Sequence, residues 1–341
     1  MFIVVVVGSG ILMTMYFGNL ETVPYTKRTH CILLSKALER QLGDVQFELT
    51  KALYKRKILP PEHPDSVRIR MILKEIIDAL QIGLSKEQVW SDGCYTSAPA
   101  TGFEGHTERE SLKSLTDASA DGKEESGWRE EDEILDDSWV QQSRKKGHEK
   151  GSATSHLEGL NFEVLVVNDP LVNAGCGFGG KLVVFTGLLE HLKSDAEIAT
   201  VIGHEVGHAV ARHHAESMTR WLWVAILNLI LCPFVTWNIN KTMASLLLNL
   251  FLTLLFSQQR MEEMEADYIG MLLIAAAGYD PRVAPTFYEK MGKYDCPLDD
   301  NISTHPSGKK RAELLSQAKI MEEAFTIYKN ARSGRSIEGF L

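Results

Sequence analysis

The sequence predicts an α+β protein that is mainly helical, with a small β-sheet and an N-terminal transmembrane helix. Three observations support this prediction. A continuous apolar run covers residues 2–17, which is typical of a membrane helix. Two short runs rich in β-branched residues, at 162–167 and 181–186, indicate strands. Apolar residues recur at helical spacing through several other parts of the chain.

Composition and charge exclude some classes of protein. The chain has 341 residues, with 36 Lys and Arg against 45 Asp and Glu, which gives a net charge of −9 with neutral His. No basic stripe is interleaved with aromatic residues, so a nucleic-acid-binding protein is excluded. The five cysteines are odd in number and lack C-x-x-C spacing. We therefore expect neither a disulfide framework nor a cysteine metal site.

Residues 1–20 are interpreted as a retained membrane anchor. The apolar run is slightly short for a perpendicular span, but a thin bilayer can accommodate it. The alternative is the core of a signal peptide. Neither Lys nor Arg precedes the run, and no A-x-A-like cleavage site follows it. We expect this segment to lie in a lipid bilayer.

Residues 21–95 are predicted to form a helical segment. After a proline-rich break at residues 60–64, Ile69, Ile72 and Ile76 recur at helical spacing. This stripe is expected to pack in the core.

Residues 96–157 are predicted to be a disordered linker. The stretch is dominated by Ser, Gly and charged residues, with an acidic block followed by a basic one. Such a composition buries too little apolar surface to offset the entropy of ordering. A short docking motif that includes Trp128 and Trp139 is the alternative.

Residues 158–341 are predicted to form the main domain. The strand-like runs at 162–167 and 181–186 are interpreted as a β-hairpin. Ser194 and Glu197 match a capping box, which opens a helix. Residues 221–256 contain two apolar runs, interpreted as a membrane-associated hairpin. A buried helical pair and a membrane-facing substrate entrance are alternatives.

The strongest chemical signal is the motif H-E-x-x-H, which begins at His204. His204 and His208 fall on one helix face and can bind a single ion, and Glu205 can act as a general base on water bound there. Glu263, about fifty-five residues on, supplies a third ligand. One helical turn later, Asp267 can accept the outer N–H of His204. The set predicts one zinc ion per subunit, with one coordination position open to water.

Other titratable residues have less defined expectations. Glu265 lies on a different helix face from Glu263 and is the less favoured ligand. His213 and His214 are expected to be solvent-exposed, because neither shares a face with the two ligand histidines. A mobile His305 can stabilise an oxyanion, block the open coordination position, or be a loop residue without a role.

These motifs resemble those of the membrane-associated gluzincins, which include the CAAX prenyl proteases, the heat-shock protease HtpX and the assembly protease BepA. The resemblance rests on H-E-x-x-H, on E-x-x-x-D at residues 263–267, and on His305-Pro306 followed by Arg311. It covers about residues 160–320 and is closest to the mitochondrial inner-membrane type, whose activity overlaps with that of the m-AAA protease. It implies a zincin-like fold, a regulatory or transition-state role for His305, and an active-site support role for Arg311.

One departure from the family concerns the segment before the second strand. The family usually has N-A-F-x-x-P-G-G, whereas here Asn173 and Ala174 are followed by G-C-G-F-G-G. Loss of Phe and Pro predicts a more flexible segment. Extended substrates of zincins commonly pair with an edge strand, and residues 182–185 are the candidate edge.

The sequence therefore predicts a membrane-bound zinc metalloendopeptidase that hydrolyses membrane proteins. The resemblance implies a place in protein quality control and stress response at the mitochondrial inner membrane, with another endomembrane as the alternative. Rival functions are a CAAX-type prenyl protease, whose several long spans are missing here, and a zinc-bound scaffold, against which Glu205 argues. Expected partners are protein substrates and the lipid bilayer, and homo-oligomerisation is left open.

Overall fold

The computed structural model describes residues 2–93, 154, 156–157, 160–238, 241–294 and 307–334. Its helices are α1 Phe2–Gly18, α2 Lys36–Leu53, α3 Pro64–Gly93, α4 Thr186–Leu189, α5 Asp195–Val210, α6 His213–Asn238, α7 Lys241–Ala276, α8 Val283–Met291, α9 Gly308–Leu315 and α10 Ala318–Arg332. Its strands are β1 Leu20–Thr22, β2 Thr29–Cys31, β3 Glu163–Val167, β4 Ala174–Gly177 and β5 Lys181–Phe185. The prediction of a mainly helical fold with a small sheet is confirmed.

The prediction of a transmembrane helix at residues 1–20 is corrected. A helix does form there, but α1 has 17 residues. In the part of the chain that the structure describes, no helix is both long and apolar enough to cross a membrane.

An antiparallel ribbon of β1 and β2 connects α1 to α2. Leu20 pairs with Cys31, and Thr22 pairs with Thr29. The prediction of a helical segment from residue 21 is therefore wrong here, because strands of three residues are too short to show a periodic pattern. In the turn of the ribbon, Tyr25 and Lys27 have φ angles of 66° and 57°, which are uncommon for residues other than glycine.

Helix α3 contains the apolar stripe that the sequence predicted. Ile69, Ile72, Leu73, Ile76 and Leu80 are all buried. The helix packs against α5 and α7 and against strand β3. The prediction that this stripe belongs to the core is confirmed.

The main sheet has three strands in the order β3-β5-β4. Strand β5 pairs in parallel with β3 and antiparallel with β4, so that Leu182 faces Val164 on one side and Cys176 on the other. The predicted hairpin is wrong, because the connection inserts β4 and makes the β3–β5 pair a parallel crossover. Residues 182–185 are consequently central, and β4 forms an edge.

Helix α5 begins at the predicted capping box. The Ser194 hydroxyl accepts from the Glu197 amide, and the Glu197 carboxylate accepts from the Ser194 amide, both over 3.2 Å. The helix ends at Val210. Arg212 then has a φ of 55°, and α6 begins at the next residue.

Helices α6 and α7 contain the two apolar runs of the predicted hairpin at 221–256. The residues that join them, 239–240, lie outside those that the structure describes. Membrane association of this hairpin stays a prediction.

The core forms where α5 and α7 pack together, with α3, the sheet, α8 and α10 around them. Most of the predicted linker at 96–157 lies outside the described residues. Near its end, Thr154, His156 and Leu157 are buried. The His156 Nε2–H donates to the Val210 carbonyl over 2.8 Å, so these residues pack on the end of α5.

Candidate metal centre

Helices α5 and α7 approach closely enough for backbone contact. A Cβ built on Gly270 of α7 would lie 2.7 Å from the carbonyl carbon of Gly203 and 2.7 Å from the amide nitrogen of His204, both on α5. One turn along, a Cβ on Gly207 would lie 2.6 Å from the Ala266 carbonyl oxygen. Only glycine leaves space for this approach. The crossing brings together two motifs that are far apart in sequence.

Donor atoms of three side chains converge beside this crossing. Nε2 of His204 lies 3.1 Å from Nε2 of His208. These nitrogens lie 3.4 Å from Oε2 and Oε1 of Glu263, respectively. Donors bound at about 2.0–2.1 Å around a tetrahedral ion are about 3.3 Å apart. The three side chains therefore fit one divalent metal ion, and in the described parts of the chain no other His, Cys, Asp and Glu group has such geometry.

The outer nitrogen of His204 contacts a carboxylate. His204 Nδ1 lies 2.8 Å from Asp267 Oδ1, and Arg311 donates to both Asp267 oxygens over 2.5 and 2.7 Å. The Arg311 guanidinium also lies over the Tyr288 ring, 3.9 Å from its centroid. Since His204 Nε2 faces the other ligands, Nδ1 carries the proton and donates it to Asp267.

Electrostatics reinforce this arrangement. Burial alone would raise the pKa of Asp267, but the charge of Arg311 and its hydrogen bonds lower that pKa to about 2. Burial and Arg311 both lower the pKa of His204, yet Asp267 and Glu263 outweigh them and raise it to about 10 when no metal is bound. Asp267 thus stays ionised throughout the physiological range.

The outer nitrogen of His208 contacts a second histidine. His208 Nδ1 lies 2.8 Å from His213 Nδ1, and His213 Nε2 lies 3.0 Å from Glu265 Oε2. His213 is buried, so the prediction of solvent exposure is wrong. The prediction treats His213 as a continuation of the helix that carries His204 and His208. Instead, α5 ends before the left-handed Arg212, which turns His213 toward His208. His214 is half-buried and packs edge-on against Phe178.

The pKa values of His213 and Glu265 are also shifted from their usual ranges. Burial lowers the pKa of His213 to about 4, although its hydrogen bond to Glu265 acts in the opposite direction. Burial would raise the pKa of Glu265, but Arg28 and His213 hold it well below its usual range. His213 is therefore neutral and Glu265 ionised near neutral pH. Glu265 is not part of the donor set, as the sequence interpretation expected.

Glu205 is half-buried on α5 between the two histidine ligands in sequence. Burial and then the charge of Glu205 raise the pKa of the Cys176 thiol well above its usual value, so edge strand β4 lies near this carboxylate. A shallow cleft adjoins the centre, lined in part by His208, Phe178 and Arg40.

Most of the predicted site residues lie together in the structure. The structure brings together His204, His208, Glu263, Asp267 and Arg311. His305 lies outside the residues that the structure describes.

The sequence interpretation missed the contacts of His213, Glu265 and Arg28, and it missed Thr26, whose hydroxyl donates to Glu265. One feature of the sequence could have indicated these contacts: acidic residues cluster at 262–267 in a helix that is otherwise largely apolar. Several buried carboxylates on one helix require cationic or hydrogen-bonding partners from elsewhere.

Comparison with known proteins agrees with this geometry. The profile of Peptidase family M48 matches residues 136–319. The chain is 57% identical over 346 residues to "Mitochondrial metalloendopeptidase OMA1" of Arabidopsis thaliana, covering 100% of this chain and 69% of that protein. It is 26% identical over 325 residues to the protein of the same name in Saccharomyces cerevisiae, covering 93% and 73%.

A more distant relative matches about half of the chain. The chain is 31% identical over 174 residues to the "Beta-barrel assembly-enhancing protease" of Escherichia coli, covering 47% of this chain and 35% of that protein. The family profile and the full-length similarity agree with the His-His-Glu centre. The chain therefore belongs to peptidase family M48.

Proposed function

We propose that this chain is a zinc-dependent metalloendopeptidase whose reaction centre is His204, His208, Glu263 and Glu205. The observation that carries the proposal is the convergence of three side chains: the two imidazole nitrogens lie 3.1 Å apart, and each lies 3.4 Å from one carboxylate oxygen of Glu263. Two imidazoles and one carboxylate are a ligand set that suits zinc and leaves a fourth position open. Family membership supports a peptidase rather than another hydrolase.

The chain's own residues have distinct tasks in this proposal. A zinc ion held by His204, His208 and Glu263 would supply Lewis-acid chemistry toward the peptide carbonyl and the attacking water. Glu205 accepts the proton of that water and transfers it to the leaving amine nitrogen. Asp267 holds the His204 ring in one tautomer. Arg311 keeps Asp267 in place through two hydrogen bonds.

Substrate binding is assigned to strand β4 instead of residues 182–185. The strand lies at one edge of the main sheet. It packs against α5, and its Cys176 lies within the electrostatic reach of Glu205. An extended peptide that adds to this edge by backbone hydrogen bonds would lie along the metal centre.

Location and substrate class rest on the relatives and on exposed apolar surface. Two of the relatives above are named mitochondrial, which supports a mitochondrial location, and we place the chain at the inner membrane. Met13 and Phe17 of α1 are exposed, as are Trp221 and Leu222 of α6. Such side chains suit contact with lipid. We propose that the substrates are membrane proteins that are degraded in protein quality control. The CAAX-type prenyl protease is not favoured, because the two relatives that match nearly the whole chain are named mitochondrial metalloendopeptidases.

A Glu205→Gln substitution tests the proposal. The purified full-length chain in detergent should bind one equivalent of zinc and cleave casein. The Glu205→Gln chain should bind zinc equally and cleave at least about 100-fold more slowly, because it lacks the general base. Glu313→Gln, at a half-exposed residue of α9, is the matched control and should match wild type. Wild-type activity in Glu205→Gln would overturn the proposal.

A further inference from the structure

The two histidine ligands are supported differently. His204 contacts a carboxylate directly, whereas His208 reaches one through His213. The Nδ1 atoms of His208 and His213 are 2.8 Å apart, and His213 Nε2 lies 3.0 Å from Glu265 Oε2. This chain of contacts is buried at His213 and Glu265.

Hydrogen-bond chemistry sets the direction of each contact. A histidine ring that binds a metal through Nε2 carries its proton on Nδ1. When His208 binds a metal, its Nδ1 therefore donates to Nδ1 of His213. His213 then carries its own proton on Nε2 and donates it to Glu265. The contact with Glu265 thus favours the His208 tautomer that can bind a metal.

Glu265 is itself held by the turn of the N-terminal ribbon. The Thr26 hydroxyl donates to Oε1 of Glu265, and Arg28 Nε donates to Oε2 over 2.8 Å. The same guanidinium donates to both oxygens of Glu216 on α6, over 2.6 and 2.8 Å. Arg28 therefore links the ribbon to α6 and α7 with bidentate geometry that Lys cannot reproduce.

The backbone of this turn is unusual. Thr26 is fully buried, and its neighbours Tyr25 and Lys27 both have left-handed φ angles. Non-glycine residues in this region persist where surrounding contacts over-determine them, often beside functional sites. The turn is closed by Val23, whose amide donates to the Arg28 carbonyl over 2.8 Å and whose carbonyl accepts from the Lys27 amide over 3.0 Å.

We propose that Thr26, Arg28 and Glu265 are positioning residues for the metal ligand His208, acting through the buried His213. The N-terminal ribbon is then part of the metal centre, although it lies about 180 residues before the H-E-x-x-H motif. This inference rests on the metal centre proposed above. It adds to that proposal a set of residues that hold His208 in position without touching substrate or metal.

Metal binding by Glu265→Gln tests this inference. The full-length chain is loaded with Co²⁺, whose visible spectrum reports ligand geometry, and zinc affinity is measured by competition with a chelator. We expect Glu265→Gln to lower zinc affinity by about 10-fold to 100-fold and to alter the cobalt spectrum. The matched control is Glu262→Gln on the same helix, whose buried carboxylate pairs with Arg220. It should match wild type in both readouts.

A second variant covers the case in which Glu265→Gln does not fold. Thr26→Val keeps the side-chain shape and removes one hydrogen bond to Glu265, so we expect zinc affinity to fall about fivefold. Wild-type affinity and spectrum in a folded Glu265→Gln chain, or in Thr26→Val if the first variant is unfolded, would overturn the inference and leave the metal centre intact. Failure of the wild-type chain to bind cobalt would overturn both.

Discussion

Replacing Gly270 with alanine tests whether the helix crossing sets the geometry of the metal centre. The added methyl group would lie 2.7 Å from the carbonyl carbon of Gly203 and the amide nitrogen of His204. Ordinary van der Waals contact begins at 3.4 Å, so α5 and α7 must separate by about 0.7 Å, the difference between 3.4 and 2.7. Every contacted atom belongs to the backbone, and no side-chain rotation can relieve the clash.

Two opposing effects determine the change in stability. Alanine is favoured over glycine in a helix by about 1 kcal/mol, whereas overpacking a core costs about 1–3 kcal/mol. The net loss in the free energy of unfolding should therefore lie between about 0 and 2 kcal/mol. The loss in catalysis should be larger, because a misplacement near 1 Å can cost about 100-fold in rate. Glu263 lies two turns from Gly270 on the same helix and moves with it.

The assay combines urea unfolding with the rate of casein cleavage. Gly10→Ala is the matched control, because this glycine lies in helix α1 and its Cβ would meet nothing within 4 Å. We expect Gly270→Ala to cleave at least about tenfold more slowly than wild type while remaining folded. Cleavage at the wild-type rate, as expected for Gly10→Ala, would refute the argument that backbone contact at this crossing positions the ligands.

Two further predictions concern Arg311 and His156. Arg311→Lys keeps the charge but loses the paired hydrogen bonds to Asp267. Zinc affinity, measured by competition with a chelator, should therefore fall about tenfold. An unchanged zinc affinity would contradict this prediction. Burial lowers the pKa of His156 to about 4 from 6.5, so its stabilising contribution is complete above pH 6.5 and is lost as the pH falls toward 4. His156→Gln should reduce the fall in unfolding free energy over that window by roughly 3 kcal/mol, and an unchanged pH dependence by urea titration would contradict this.

Local patterns in the sequence were sufficient for several helices and for the spacing of the candidate metal-binding side chains. The four-residue spacing of His204 and His208 requires only that α5 be helical, and the capping box at Ser194 marks its start. The spacing of Glu263 and Asp267 likewise requires only that α7 be helical. These features depend on neighbours within one or two turns, which a sequence displays directly.

Features that depend on distant contacts could not be predicted in this way. The parallel pairing of β3 and β5 follows from the insertion of β4, whose short glycine-rich segment has no strand pattern. The burial of His213 follows from the left-handed Arg212. The contact of Thr26 with Glu265 joins residues 239 positions apart. Each depends on tertiary packing, which overrides local propensity.

X-ray absorption at the zinc edge of the purified full-length chain tests the central claim most directly, because it measures the type and distance of the metal's ligands. We expect one zinc ion per chain, surrounded only by nitrogen and oxygen at about 2.0–2.2 Å. Cys176 lies near Glu205, and a Zn–S distance of about 2.3 Å would contradict the His-His-Glu set. Absence of stoichiometric zinc would contradict a zinc centre altogether.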